Sequence, residues 1–217
     1  MTRAATLQLR AVRIALHGRL LIGALDAGIE PGECLTLMGP SGCGKSTLLN
    51  FLAGTLDPVF DAQGSIAIGG TDVTTLPPEQ RGFGILFQDD LLFPHLSVGG
   101  NLAFALPAAV RPRGLRQARI EAALGDAGLA GFADRDPATL SGGQRARVAL
   151  MRTLLAAPRA LLLDEPFNKL DAQLRDEFRD FVFGHVRDFG LPTLMVTHDA
   201  ADAQAAGGRI LQLEQEQ

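Results

Sequence analysis

The chain has 217 residues, of which 47% are hydrophobic and 20% are charged, with a formal net charge of −4 and a pI near 5.5. This length suits one large domain, or a core domain that carries a subdomain, and the composition is typical of a globular chain. The acidic balance gives no general attraction to nucleic acid or to anionic lipid, so no nucleic-acid partner is expected.

The start of the chain and its two cysteines exclude further classes. Residues 1–6 lead into no apolar core of a signal peptide, and the sequence holds no run of about 18 apolar residues that could span a bilayer. Cys34 and Cys43 form no CxxC pair, which excludes a zinc knuckle and a disulfide framework. We therefore expect a protein that works in a reducing compartment and acts at a membrane only through a partner.

Short apolar runs alternate with helical stretches along most of the chain. Residues 161–163 are all leucine, and residues 193–197 hold an apolar Leu-Met-Val run between two threonines, which indicates strands buried on both faces. This alternation predicts an α/β fold with a largely parallel sheet. The predicted strands are 7–14, 20–29, 33–38, 65–68, 83–87, 161–163 and 193–197, and the predicted helices are 47–54, 98–106, 115–129, 145–156 and 171–189.

One region departs from the alternation. From about 91 to 138 the strand signal vanishes, and Pro and Gly separate short helical stretches. We expect a helical subdomain here, inserted into an α/β core of residues 1–90 and 139–217. Four apolar residues near its start either receive a helix of a membrane protein or pack the insert's own small core. These residues are Leu91, Leu92, Phe93 and Phe104.

Two side-chain patterns have a structural interpretation. The arginines 111, 113, 116 and 119 are expected to form a solvated helix face rather than a site for nucleic acid or lipid. An apolar stripe at helical spacing in the segment 171–189 is expected to pack in the core. The stripe consists of Leu174, Phe178, Phe181, Val182 and Phe189.

Residues 39–46 fit the phosphate-loop pattern G-x-x-x-x-G-K-[ST], between a buried strand and a helix. The glycines let consecutive backbone N–H groups face a phosphate. Lys45 would carry charge to the β- and γ-phosphates, and the Ser46 hydroxyl would complete a Mg²⁺ shell. The predicted nucleotide-binding residues of this segment are Gly39, Pro40, Ser41, Gly42, Cys43, Gly44, Lys45, Ser46 and Thr47.

Two acidic residues end the apolar run at 161–163. Asp164 is placed to hold Mg²⁺ through water, and the Glu165 carboxylate can polarise an attacking water. Alone, this pair could simply be exposed acids at the end of a strand. Together with the phosphate loop, it predicts ATP hydrolysis.

A second anion-binding device lies at Leu140-Ser-Gly-Gly-Gln144, just before a predicted helix. Ser141, two glycines and a helix N-terminus are suited to bind a phosphate. A protein with one nucleotide does not need two such devices. We therefore expect this one to cap the γ-phosphate of a nucleotide held by a second copy of the chain.

Gln88 lies between the phosphate loop and the segment 140–144, and His198 follows the Asp164-Glu165 pair. With these motifs in this order, the chain closely resembles the ATP-binding subunits of ABC transporters over essentially its whole length. The segment 86–98 is similar to bacterial importers more than to exporters. The resemblance implies a P-loop NTPase core with an N-terminal β subdomain and an inserted α-helical subdomain. It also implies ATP hydrolysis that drives solute import, with ATP and Mg²⁺ bound.

The resemblance assigns roles to the matched residues. Glu165 would be the general base, His198 the γ-phosphate sensor that holds Glu165, and Gln88 a contact of Mg²⁺ and of the attacking water. Asp171 would reach across a dimer to the partner's phosphate loop. The implied Mg²⁺ ligands are Ser46, Gln88 and Asp164, and the implied signature that binds the partner's ATP is Leu140, Ser141, Gly142, Gly143 and Gln144.

Two positions depart from the family. Where the family has an aromatic ring that stacks on adenine, this chain has Leu16 and His17, and it holds no Tyr or Trp at all. Leu16 or His17 would give apolar contact or weaker stacking, so looser ATP binding and relaxed base selectivity are expected. Asn168 stands where the family usually has Ser, which puts the coupling between two sites in doubt.

The partners that the resemblance implies are a second ATPase subunit in a homodimer, integral-membrane permease subunits and an extracytoplasmic solute-binding protein. The implied location is peripheral, on the cytoplasmic side of the inner membrane. Three alternatives differ in class: a soluble ABC-type ATPase acting on nucleic acid or ribosomes, a phosphate-loop kinase, and an inactive nucleotide-gated binding module. The sequence identifies no cargo.

Overall fold

The computed structural model describes residues 5–40 and 42–213. Ser41, one of the predicted nucleotide-binding residues, lies outside the described residues. The chain divides into two compact units, and each is described by itself. The first comprises Met1–Ile85, Arg159–Glu165 and Arg179–Gln217, and the second comprises Leu86–Pro158 and Pro166–Phe178. The insert predicted at about 91–138 divides the chain at other residues than these two units do, and it stays a prediction.

An antiparallel sheet with strand order β2-β1-β4-β5 forms part of the first unit. Its β1–β2 hairpin closes through His17 and Gly18, whose φ angles of 50° and 81° suit a tight two-residue turn. The strands predicted at 7–14 and 20–29 are confirmed and are longer, and the one predicted at 65–68 begins earlier. The strands are β1 (Leu7–Leu16), β2 (Arg19–Ile29), β4 (Phe60–Ile68) and β5 (Thr71–Asp72).

A second sheet has the strand order β6-β7-β8-β3-β9. Its three central strands pair in parallel, with Met38 opposite Thr197 and Asp164 opposite Val196. The carboxyl ends of these strands therefore lie side by side, which is where parallel sheets bind ligands. The strands are β3 (Cys34–Met38), β6 (Phe83–Leu86), β7 (Ala160–Asp164), β8 (Thr193–Thr197) and β9 (Ile210–Gln212).

The helices confirm the five predicted helical segments, with ends that shift by at most three residues. Two short helices, α2 and α7, and the short strands β5 and β9 escaped prediction because elements of two to seven residues carry too few periods of hydrophobicity. The helices are α1 (Lys45–Ala53), α2 (Pro78–Arg81), α3 (Val98–Ala105), α4 (Arg113–Asp126), α5 (Gly142–Leu155), α6 (Ala172–Asp188) and α7 (Ala200–Ala206), with a 3₁₀ turn at Pro137–Thr139.

The apolar stripe of α6 meets its prediction except at its end. Phe178 and Val182 are buried, and Leu174 and Phe181 are half-buried. Phe189 is wrong as a core residue: it is 60% exposed because it follows the last residue of the helix, and its ring stacks on His185. The core of the first unit is instead built by side chains of both sheets and of α1, among them Ile14, Leu37, Leu48, Leu162 and Val196.

In the second unit, Asn101 fixes the segment before α3. This fully buried amide accepts a hydrogen bond from the Phe93 N–H at 2.8 Å and donates to the carbonyls of Phe93 and Ser97 at 3.1 and 3.0 Å. Arg113 and Arg119 are exposed on α4 as expected, whereas Arg111 is exposed but precedes the helix and Arg116 is half-buried. Its guanidinium donates to the carbonyls of Ala103 and Val110. No helix within the described residues is long and apolar enough to cross a membrane.

Candidate nucleotide-binding and hydrolysis site

The phosphate loop lies between β3 and α1 in the first unit. Gly42 and Gly44 have φ angles of 82° and 93°, a left-handed backbone that glycine adopts without strain. Gly39 has no room for a side chain, because a Cβ there would lie 2.7 Å from the Leu213 carbonyl oxygen. No side chain among the described residues caps α1, whose first-turn N–H groups are therefore suited to an anion.

Lys45, the first residue of α1, folds back over the loop. Its Nζ donates to the carbonyl oxygens of Gly39 at 2.7 Å and Pro40 at 2.8 Å, and the side chain is buried. The ammonium group is thus held by two backbone carbonyls of the loop. Such an arrangement fixes a positive charge where a phosphate would approach the backbone N–H groups. Cys43 is buried beside it, and its sulfur lies 3.9 Å from the Lys45 Nζ.

Ser46 and Asp164 come together from α1 and β7. The Ser46 Oγ lies 3.4 Å from the Asp164 Oδ1. Burial and the neighbouring Glu165 charge raise the pKa of Asp164, and these effects outweigh the hydrogen bond from Ser46 and the charge of Lys45. A hydroxyl and a carboxylate are the hard oxygen ligands that Mg²⁺ prefers, so this pair fits a magnesium ion. A bound cation would also stabilise the ionised form of Asp164.

Glu165 follows β7 directly and has a φ angle of 46°, a conformation that is strained for a non-glycine residue. Its N–H donates to the Val196 carbonyl at 3.0 Å, which ties this strained turn to β8. His198 follows β8, and its Nδ1 lies 3.2 Å from the Glu165 Oε1. The carboxylate and the imidazole that the resemblance links are thus in contact in the structure, while their catalytic roles stay predictions.

Leu16 ends β1 and is half-buried, and His17 is exposed in the following turn. Phe60, the first residue of β4, lies directly opposite Leu16 in the antiparallel pair. Directly opposed side chains share one face of a sheet, so Phe60 adds an aromatic ring beside Leu16. Sequence reasoning missed this neighbour, because β4 was expected to begin at residue 65.

The signature segment lies in the second unit. Ser141 caps α5 through a reciprocal pair of bonds: its Oγ accepts from the Gln144 N–H at 3.3 Å, and the Gln144 Oε1 accepts from the Ser141 N–H at 3.0 Å. Ser141 is exposed, whereas Leu140 and Gly143 are buried. Gly143 packs closely, since a Cβ there would lie 3.3 Å from Leu174. The segment is therefore a rigid helix start with an exposed hydroxyl.

Three further predicted residues also belong to the second unit. Gln88 is exposed, just beyond the end of β6. Asp171 is exposed and precedes α6, where its Oδ1 accepts from the Leu174 N–H at 3.1 Å. Asn168 is half-buried, and the adjacent Lys169 forms an ion pair with Asp89.

The four apolar residues near Gln88 divide into two pairs. Leu91 and Phe104 are 56% and 69% exposed, so neither packs a core of the second unit. Leu92 and Phe93 are half-buried, and the Phe93 ring meets Phe104 edge-on at 4.8 Å. Leu91 and Leu92 border a cavity of about 540 Å³ in this unit. Its other lining residues are Asp89, Asp90, Pro94, Pro137, Ala138, Gly142, Arg145, Lys169 and Leu170.

Comparison with known proteins gives a family and several relatives. The ABC transporter family model matches residues 22–168. The chain is 50% identical over 194 residues to YnjD of Escherichia coli K12, which is named an uncharacterised ABC transporter ATP-binding protein. That alignment covers 89% of each chain. The resemblance to the ATP-binding subunits of ABC transporters is thus confirmed over most of the chain.

Two other relatives are named as import proteins. The chain is 44% identical over 203 residues to the putative 2-aminoethylphosphonate import ATP-binding protein PhnT of Salmonella paratyphi A, covering 93% of this chain and 54% of PhnT. It is 44% identical over 191 residues to the Fe(3+) ions import ATP-binding protein FbpC 2 of Rhizobium meliloti, covering 88% of this chain and 48% of FbpC 2. The chain thus spans most of YnjD but about half of these two relatives.

Proposed function

The chain belongs to the ABC transporter family of ATP-binding proteins, and on that premise we propose that it is the ATP-hydrolysing subunit of a bacterial solute importer. The observation that carries this proposal is the carboxyl edge of the parallel sheet. There the Lys45 ammonium, the Ser46–Asp164 pair and the Glu165–His198 pair follow three neighbouring strands. A phosphate-loop kinase would have no use for the second anion-binding segment at Leu140–Gln144.

Each side chain of this edge has a distinct part in the proposed reaction. Lys45 and the N–H groups of the loop hold the phosphates, and Ser46 and Asp164 would hold Mg²⁺. A Mg²⁺ ion held there would supply positive charge that offsets the negative charge of the phosphates. Glu165 accepts a proton from the attacking water, and His198 keeps the Glu165 carboxylate oriented. Gln88 stays a prediction as a further Mg²⁺ contact.

We also propose that two copies of the chain bind ATP between them. The signature segment of one copy would cap the γ-phosphate held by the loop of the other. The exposed Ser141 hydroxyl at the start of α5 supports this proposal, as does the location of the Asp171 carboxylate on the surface. Since one chain carries both kinds of phosphate-binding segment, a homodimer would complete two equal sites.

The proposed partners are permease subunits in the membrane and, outside the cytoplasm, a solute-binding protein. The import proteins PhnT and FbpC 2 support this part of the proposal, because an importer needs subunits that cross the membrane. The chain would then sit peripherally on the cytoplasmic side of the inner membrane, with Leu91 and Phe104 facing the permease. The named cargoes of the relatives differ, so we propose no cargo here.

Capture from detergent-solubilised host membranes tests the transport proposal. Tagged Glu165→Gln protein is used as bait with and without MgATP, and bound proteins are identified by mass spectrometry. We expect an integral-membrane permease to be captured, and we expect its recovery to fall at least fivefold when Leu91 and Phe104 are both changed to Glu. Arg119→Glu, on the solvated face of α4, is the matched surface control. Recovery of soluble proteins or nucleic acid alone would reject the importer proposal.

Leu16→Tyr tests the expected looseness of nucleotide binding. An aromatic ring at this position should add a stacking contact of about 1 kcal/mol, or roughly a fivefold tighter dissociation constant for ATP. Isothermal titration of ATP and GTP into Glu165→Gln protein, with and without Leu16→Tyr, measures the change. Equal ATP affinities of the two proteins would show that Leu16 does not contact the base.

A further inference from the structure

A buried ion pair lies beneath the loop that carries His198. Arg179 of α6 and Asp202 of α7 are only 8% and 0% exposed. The Arg179 Nε donates to the Asp202 Oδ1 at 2.7 Å, and a second guanidinium nitrogen contacts the same oxygen. Separation of the two side chains would leave uncompensated charges in the interior, so the pair stays together.

Thr197 connects this ion pair to the backbone on both sides of His198. Its fully buried hydroxyl donates to the Asp202 Oδ2 at 3.1 Å and accepts from the Asp199 N–H at 3.0 Å. The Asp199 Oδ1 in turn accepts from the N–H groups of Ala201 at 2.7 Å and Asp202 at 3.3 Å, which caps α7. Of the two residues that flank His198, Thr197 is therefore bonded to the Asp202 carboxylate directly, and Asp199 is linked to it through the Thr197 hydroxyl.

His198 itself has a side chain that is 58% exposed, with its Nδ1 3.2 Å from the Glu165 Oε1. A surface imidazole has several rotamers of similar energy, and the backbone decides which of them reach a given partner. The backbone of this loop is set by hydrogen bonds that converge on Asp202. A buried ion pair is a weak source of net stability compared with apolar residues of the same volume, so its orienting effect is its more specific contribution.

We propose that Arg179, Asp202 and Thr197 form a positioning network that holds the His198 loop in the conformation in which the imidazole meets Glu165. None of the three is placed at the reacting atoms, so they act through His198. The inference rests on the proposed function, since it assumes that His198 and Glu165 serve ATP hydrolysis. It adds residues outside the recognised motifs to the machinery of that reaction.

Thr197→Val and Thr197→Ser form the first test. Valine fills the same space without the hydroxyl, whereas serine keeps the hydroxyl. In the nucleotide-free protein, we expect Val to speed hydrogen exchange of the amides of residues 199, 201 and 202 at least tenfold, and Ser to leave it within twofold. In ATP hydrolysis, Thr197→Val should lower kcat at least tenfold and leave KM for ATP within twofold of the parent value. Thr197→Ser should keep the kcat of the parent protein.

A double-mutant cycle with His198→Ala separates positioning from a general structural defect. If Thr197 acts through His198, Thr197→Val causes no further loss of kcat in the His198→Ala protein. An equal loss in both backgrounds would overturn the inference. If His198→Ala itself keeps the full kcat, the proposed role of His198 fails instead, so the two failures are distinguishable.

Two further variants complete the design. Asp202→Asn keeps the shape of the side chain but removes its charge, and it should reproduce the kcat loss of Thr197→Val. Should Asp202→Asn not fold, the Thr197 pair still decides the question, because it leaves the ion pair in place. Glu33→Gln is the matched control, since it weakens the Arg209–Glu33 ion pair at 2.7 Å in the same unit and should leave kcat within twofold.

Discussion

Glu165→Gln lowers kcat for ATP hydrolysis by at least about 100-fold and leaves the affinity for MgATP within about threefold. General base catalysis contributes about 10²- to 10⁴-fold in enzymes, and an amide cannot accept the proton of the attacking water. The glutamine keeps the length of the side chain and can still hydrogen bond to the His198 Nδ1, which lies 3.2 Å from the Glu165 Oε1. Steady-state phosphate release and titration calorimetry measure the two quantities.

The same variant reports on the dimer. ATP hydrolysis would end the proposed dimer in which two copies hold ATP between them. Glu165→Gln protein with MgATP should therefore elute as a dimer in size-exclusion chromatography with light scattering. Glu121→Gln, an exposed substitution on α4, serves as control and should keep both kcat and the mass distribution of the parent protein. A parent-like kcat for Glu165→Gln would remove Glu165 from the site and leave Asp164 as the remaining carboxylate there.

The strained backbone at Glu165 gives a separate readout. A φ angle of 46° costs a non-glycine residue about 1–2 kcal/mol, which glycine avoids at the cost of extra freedom in the unfolded chain. We therefore expect Glu165→Gly to abolish hydrolysis without lowering the free energy of unfolding by more than about 0.5 kcal/mol. A side chain kept in a strained position without a gain in stability is typical of a functional site.

The parts of the fold that the sequence predicts well are those with local signals. The runs that became β7 and β8 have apolar centres, 161–163 and 194–196, because both faces of these strands are buried, and Thr193–Thr197 was predicted to the residue. The phosphate loop is specified by its own glycines and lysine. In each case, residues close together in the chain determine the structure.

What escaped prediction depends on partners far apart in the chain. Phe60 became a neighbour of Leu16 only through the pairing of β1 with β4. Arg179 of α6 meets Asp202 of α7 although the two residues lie 23 positions apart in the chain. Neither arginine nor aspartate carries a periodic signal, and a charged residue on a predicted helix is most often solvated. Phe189 shows the opposite error, since its spacing fitted the stripe although α6 had already ended.

Arg81 is another residue whose partners lie far apart in the chain. Arg81→Ala should lower the free energy of unfolding by about 3–5 kcal/mol, because several carbonyls lose a charged donor. The side chain is only 7% exposed, and burial lowers the pKa of its guanidinium. Its nitrogens donate to the carbonyls of Phe51 and Leu76 at 2.7 Å and Leu52 at 3.0 Å, and also to the Thr74 carbonyl.

The guanidinium of Arg81 thus caps the last turn of α1 together with the Gly54 N–H, which donates to the Phe51 carbonyl at 3.2 Å. Alanine would remove the guanidinium donors from all four carbonyls, of which the Phe51 carbonyl keeps the Gly54 N–H. Lysine, with one nitrogen, would reach fewer of them, so Arg81→Lys should fall between Ala and the parent. Urea unfolding followed by circular dichroism measures all three, with Arg119→Ala as an exposed control expected within about 0.5 kcal/mol of the parent. A loss below about 1 kcal/mol for Arg81→Ala would mean that water replaces the guanidinium at these carbonyls.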